Sequence, residues 1–167
     1  MPRTATVRGR GVNQGSLVAI LQALVNTMTT KPTLAVNAGG AATIKTTGTN
    51  TYLLNGRPLT FGALAAQVIV GAAPLAGVVN VPANQFAMMR VEIDSAGVIG
   101  TIQGGNFLTA AEAQANPPGR SPNKCTIGYI IMNNGAAVFI PGTTALDVAG
   151  VSFFDGDPDL QNIFMPA

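Results

Sequence analysis

The carboxylates of Asp155, Asp157 and Asp159 alternate along Asp155-Gly156-Asp157-Pro158-Asp159, and acids so spaced can wrap a hard cation such as calcium. A calcium loop opening this way also needs glycine at its sixth position and glutamate at its twelfth, where this chain has Leu160 and Pro166. The match ends at its first half, which leaves the three acids as weak metal candidates and otherwise as a solvated acidic turn. Glu92 and Asp94 are the other close acids; two residues apart on a strand they point the same way, as on an ordinary solvent face. Ser16, Ser95, Ser121 and Ser152 have no histidine to activate them, because the chain contains none. The single cysteine, Cys125, cannot close an intrachain disulfide and is expected in the core of a protein folded in a reducing cytoplasm. The run from Gly100 to Gly105 lacks the lysine of a phosphate loop and reads as a strand end with a bulge. These residues predict a non-enzymatic protein that needs no cofactor.

Charge is scarce and unevenly placed. Only 10% of the 167 residues are charged, mean hydropathy is positive at +0.36, and 47% are hydrophobic, so the chain is neither disordered nor dressed like a soluble monomer. Arg3, Arg8, Arg10, Lys31, Lys45, Arg57 and Arg90 all precede the first acid, Glu92, while Arg120 and Lys124 are the only bases after it. Such polarity suits contact between copies, or docking of the basic end on an acidic partner. Arg3, Arg8 and Arg10 lack interleaved aromatics or a basic helix, so they are read as a partner-binding arm and nucleic acid is not expected.

The elements that must position these groups follow from periodicity. Residues 1–15 have no hydrophobic period and read as an extended basic arm. Ser16 caps a predicted amphipathic helix over 16–30, in which Leu17, Leu21, Leu24 and Met28 form an apolar stripe with an uncharged back, suited to bundling with other copies. A basic leader before an apolar run also outlines a signal peptide, but Gln22 interrupts it and no small-residue cleavage site follows at once. The run is also shorter than the roughly 20 residues that span a bilayer, so no membrane partner is expected.

From residue 33 short β-prone runs alternate with turn residues. Strands are predicted over 42–47, 51–54, 58–61, 67–70, 78–81, 85–94, 98–103, 126–132, 136–140 and 151–154, some as edge pieces, with a tight turn at Asn55-Gly56. Thr109-Ala110-Ala111-Glu112 is a capping box that opens a short helix to Asn116, stopped by Pro117-Pro118. The loop from Pro117 to Lys124 then exposes Arg120 and Lys124 as solvated charges or partner contacts. The predicted class is mainly β: an antiparallel sandwich or barrel of seven to eight strands over 31–154, with an N-terminal amphipathic helix, one internal helix, and an acidic turn with apolar tail over 155–167.

The runs Val81-Pro82-Ala83-Asn84-Gln85-Phe86-Ala87, Val91-Glu92-Ile93-Asp94-Ser95-Ala96-Gly97, Ile127-Gly128-Tyr129-Ile130 and Phe139-Ile140-Pro141-Gly142-Thr143-Thr144-Ala145-Leu146-Asp147 resemble structural modules of tailed-bacteriophage virions. The likeness spans about residues 50–154 and is to head decoration, or cement, head-fibre and other virion modules. It implies a β-sandwich repeated on a virion, often as a homotrimer, bound to the major capsid protein and free of catalysis. Tail, baseplate or fibre-attachment proteins share these features. A host- or carbohydrate-binding module is the alternative of another class, and it would need exposed aromatics, whereas most of the nine here sit in apolar runs.

Overall fold

The computed structural model describes residues 21, 24–68 and 79–156. Among them the chain is mainly β, with nine strands and one short helix. The strands are β1 (Ala35–Val36), β2 (Thr43–Lys45), β3 (Asn50–Leu54), β4 (Arg57–Phe61), β5 (Gln67–Val68), β6 (Phe86–Ile93), β7 (Ile99–Phe107), β8 (Cys125–Met132) and β9 (Ser152–Asp155). They form three antiparallel sheets, ordered β1-β2-β5, β3-β4 and β7-β6-β8-β9.

The β3-β4 hairpin forms where the dipeptide signal lies. Asn55 and Gly56 hold φ of 52° and 74°, the paired left-handed conformation that matches a two-residue turn to strand twist. Helix α1 (Ala110–Ala115) starts on the predicted capping box: Thr109 Oγ1 accepts the Glu112 N–H, and Glu112 Oε2 accepts the Thr109 N–H, both at 3.1 Å.

β6 and β8 are central strands, buried on both faces. One face carries Ala87, Met89, Val91 and Ile93 of β6 with Ile130 and Met132 of β8, packed against Ile44, Tyr52, Leu54 and Phe61 from the smaller sheets. Cys125 is fully buried in this cluster, as its residue type predicts. The opposite face holds Met88, Tyr129 and Ile131 under Ala113 of α1, with Phe86, Phe107 and Phe154 around them. Tyr129 and Phe154 stack at 4.7 Å. Two irregularities adjust the sheet. Met88 alone faces Gly104 and Gly105, and Ile127 is the extra residue opposite Val91 and Glu92. The predicted bulge thus exists, but within β7 rather than at its end.

Three expectations need correction. Residues 136–140 do not form a strand. A turn with Ala137 N–H on Asn134 O precedes Phe139, and the Ile140 carbonyl accepts the Thr143 and Thr144 amides as the chain bends at Pro141-Gly142. Only the Val81–Phe139 bridge remains, with both bonds at 2.9 Å. The helix predicted to Thr30 ends earlier. Residues 21, 24 and 25 are helical, but Leu53 donates to Thr27 O, Thr29 donates to Thr51 O, and Met28 bridges Tyr52 in extended conformation. The unfilled edge of β3 offers backbone partners that a last helical turn lacks, and Thr27, Thr29 and Thr30 are β-branched residues suited to that edge. Finally, Glu92 is not on a solvent face: it is 1% exposed, because the segment after α1 folds across its side of the sheet.

Candidate functional site

Arg3, Arg8, Arg10, Leu17, Asp157 and Asp159 lie outside the described residues. The other sequence-predicted residues separate into distinct places. Leu21 and Leu24 are 53% and 50% exposed, and Val25 beside them is 41% exposed. Met28 turns away from that stripe and packs on the core. Asp155 ends β9, where Oδ1 accepts the Leu34 N–H at 2.7 Å and Oδ2 lies 3.7 Å from Lys31 Nζ. Its oxygens therefore brace the chain segment before β1. Among the described residues no three acids or cysteines converge, and no helix is long and apolar enough to cross a membrane.

What sequence reading missed is a buried polar layer under the loop from Pro117 to Lys124. Arg90 is fully buried; its Nε and Nη2 both donate to the Pro118 carbonyl, at 3.0 and 2.7 Å, and Nη1 donates to Thr126 Oγ1 at 3.2 Å. Two residues along β6, Glu92 Oε1 accepts the Ser121 N–H at 3.0 Å. Alternation puts Arg90 and Glu92 on one face, so a single strand holds the loop at two points through charge-assisted bonds. Lys124 contributes from the loop's far end. A Cβ at Gly100 would stand 2.7 Å from its Nζ, and Gly100 is the cross-strand partner of Glu92, so the ammonium occupies the same face as the carboxylate. The signal that could have exposed this layer is the sequence Met88-Met89-Arg90-Val91-Glu92-Ile93, charges at period two inside an otherwise apolar strand.

Held in this way, the loop meets two other segments. Asn55 Nδ2 donates to Asn123 Oδ1 at 3.2 Å, Asn55 N–H donates to Asn26 Oδ1 at 2.6 Å, and Gly56 N–H donates to Val25 O at 3.0 Å. The hairpin tip therefore joins the end of the exposed apolar helix to the basic loop. Between them lies a cleft of about 370 Å³, lined by Val25, Asn26, Asn55, Arg120, Asn123 and Lys124 among others. Val25 beside two cations and three side-chain amides makes this a mixed apolar and cationic surface. The sequence offered its parts separately; the hairpin tip brings them together.

Tyr52 ties this region to the core. Its hydroxyl donates to Asp94 O at 2.7 Å, and its ring meets Phe61 edge-on at 5.9 Å. Burial raises the phenol above its ordinary value of 10.0, with Cys125 and Asp94 adding to the rise. A raised pKa means the folded state holds this proton more tightly than the unfolded chain. The contribution is therefore complete below pH 10 and lost as pH climbs from there through the folded value. Thermal unfolding followed from pH 8 to 11.5 should show Tm falling above about pH 10. In Tyr52→Phe that alkaline fall should be shallower, and an identical slope in both proteins would exclude Tyr52 as its source.

No family model matches the chain, and no curated protein or solved structure is similar to it.

Proposed function

We propose that this chain is a non-enzymatic bacteriophage capsid decoration protein. In this reading a β-sandwich, formed by the four-stranded sheet facing the smaller sheets, binds the outer shell of the virion and stabilises the head through many subunit contacts. The supporting observation is the surface: Leu21, Leu24, Val25, Val79, Val98, Leu108, Val138 and Ile140 are each at least 41% exposed on a chain that is only 10% charged. Large apolar side chains in such numbers, with little charge between them, favour coverage by other copies or another protein. The virion-module resemblance of the strand and turn motifs favours a capsid as that setting, with a homotrimer as the repeating unit and the major capsid protein as its partner.

The mechanism is mechanical. Each copy adds apolar burial worth about 25 cal/mol per Å² at a junction between capsomers. Repetition over the shell resists internal genome pressure without any single contact being strong. The cleft beside Val25 supplies a cationic, amide-rimmed contact, and the Arg3, Arg8 and Arg10 arm supplies a second tie to the capsid surface.

Imaging of intact particles tests the reading through copy number. Hundreds of copies on the head support it, whereas a handful at the tail or baseplate overturn it in favour of a fibre-attachment role. Binding of a glycan by the isolated domain, measured by calorimetry, would instead favour a host-binding module. The oligomer has its own test. Replacing Leu21 and Leu24 together by aspartate is expected to convert the trimer to monomers in sedimentation velocity, with the β circular dichroism unchanged. An unaltered sedimentation coefficient would remove these two residues from the interface.

A further inference from the structure

The β3-β4 hairpin tip and the loop from Pro117 to Lys124 meet through Asn55 and Asn123, and both residues line two adjoining clefts of about 370 and 540 Å³. Asn26 lines the smaller cleft with them, and its Oδ1 accepts the Asn55 N–H at 2.6 Å. A backbone N–H can only donate, so the Asn26 amide holds its oxygen toward Asn55 and its Nδ2 away from it. Asn123 is arranged alike, with Oδ1 accepting from Asn55 Nδ2 at 3.2 Å, and among the described residues neither Nδ2 has a partner. Both amides thus spend their acceptor inside the fold and bring N–H donors to the cleft wall. Positive charge converges on the same place. Of the described bases, Lys31 lies 3.7 Å from Asp155, and Arg90 is buried on Pro118 and Thr126. Of Lys45, Arg57, Arg120 and Lys124, all but Lys45 line these clefts, Arg57 in the larger and the other two in the smaller. Among the described residues no acid lines either one. The acids of the neighbouring strand and turn are occupied with backbone amides, Glu92 Oε1 with Ser121 and Asp94 Oδ1 with Ala96 and Val98.

We infer that the smaller cleft is an oxyanion seat, which takes the carboxylate or phosphate group of a small ligand. The donor set selects that class. Asn26 and Asn123 offer neutral N–H groups, and Arg120 and Lys124 add positive charge, so the group that suits the cleft carries acceptor oxygens and negative charge together. A cation is repelled here, and a neutral amide or hydroxyl leaves the charge unanswered. Arg57 adds to the same positive field from the larger cleft. Val25 and Pro122 complete the lining, so a short carbon stem fits beside the charged head, and the volume falls in the range of small-ligand pockets. The buried layer beneath gives the site its rigidity. Arg90 fixes the loop at Pro118 and Glu92 fixes it at Ser121, so the donors of Arg120, Asn123 and Lys124 stand on a segment already held in place, and binding costs less ordering.

Titration of the ¹⁵N-labelled full-length chain, followed by two-dimensional NMR at constant ionic strength, tests the inference with sodium phosphate in one arm and sodium glutarate in the other. Saturable shifts of the Asn26 and Asn123 side-chain NH2 signals are expected with at least one anion, and the arm that saturates first names the source of the group. Asn123→Asp is the diagnostic variant. Its Oδ1 still accepts from Asn55 and aspartate tolerates the φ of 56°, while the donor at the cleft wall becomes an anionic oxygen. Binding should weaken at least about tenfold. Lys124→Gln should weaken it by a smaller factor, and Lys45→Gln, which removes a cation outside the cleft, should leave it unchanged. Linear, non-saturating shifts with both anions overturn the inference. Equal weakening by Lys45→Gln and Lys124→Gln also overturns it, because net charge alone would then account for the binding. If Asn123→Asp disturbs amide signals beyond the loop, Asn26→Asp replaces it with the same readout, since its Oδ1 still accepts the Asn55 N–H. None of these outcomes depends on whether the protein decorates a capsid.

Discussion

Arg90→Ala is expected to lower the unfolding free energy by about 2–4 kcal/mol, because a buried carbonyl and a buried hydroxyl each lose a charged donor. At least three hydrogen bonds go at once, two of them to the single carbonyl of Pro118, whose oxygen is then left buried beneath its own loop. Thr126 loses its partner in the same stroke, and the volume of a large, fully buried side chain is vacated between β6 and the loop. The loss should be local before it is global. Limited proteolysis of the variant should cut within residues 117–124 under conditions that leave the wild type intact, since the loop loses its anchor at Pro118 and keeps those at Ser121 and Asn123. Arg90→Lys keeps the charge but cannot reproduce the forked donation, so it should fall between the two proteins. Urea unfolding at pH 7 measures the change. A loss below about 1 kcal/mol in Arg90→Ala would mean the loop is held by other contacts.

Gly128→Ala should cost about 3 kcal/mol, at the upper end of what overpacking a tight interior usually costs. A methyl group at this position meets the carbonyl oxygen of Phe154 and comes within 3.1 Å of Leu34 Cδ2 and 3.4 Å of the Asp155 Cα. Two of these three neighbours are backbone of β9, which cannot swing aside as a side chain would. Relief requires β9 to separate from β8, and that breaks the ladder from Ile131–Ser152 to Gly128–Asp155 and unstacks Tyr129 from Phe154. The groove of about 550 Å³ between Met28–Pro32 and Phe153–Gly156 then loses one wall. Exchange of the Phe154 amide should rise sharply while β6 and β7 keep their protection. A variant as stable as the wild type, with Phe154 still protected, would show that the two strands sit farther apart than this geometry places them.

The elements that local chemistry specifies are legible in the sequence. Asn55-Gly56 sets the β3-β4 hairpin, Thr109 and Glu112 start α1 by satisfying each other's amides, and the alternating run 85–94 finds its strand within a residue or two at either end. Each signal works because its partners lie within a few residues. Met28 shows the limit: its spacing from Leu21 and Leu24 fits a helix, yet the bond partners that decide its conformation belong to Tyr52's strand, twenty-four positions away. The predicted strand over 136–140 fails for the same reason, because the Ile140 carbonyl is claimed by Thr143 and Thr144.

The sequence by itself determined a charge-poor, mainly β chain, the turn and cap that punctuate it, and the burial of Cys125, since composition, periodicity and local hydrogen bonding need no distant partner. The tertiary structure alone decided that Arg90 and Glu92 lie inside rather than on a solvent face. It also placed Arg120 and Lys124 beside Val25. Burial of a charge depends on which segment comes to lie over its strand. Here that is set by contacts between residues 28 to 36 positions apart, through Pro118, Ser121 and Thr126, which no local pattern encodes.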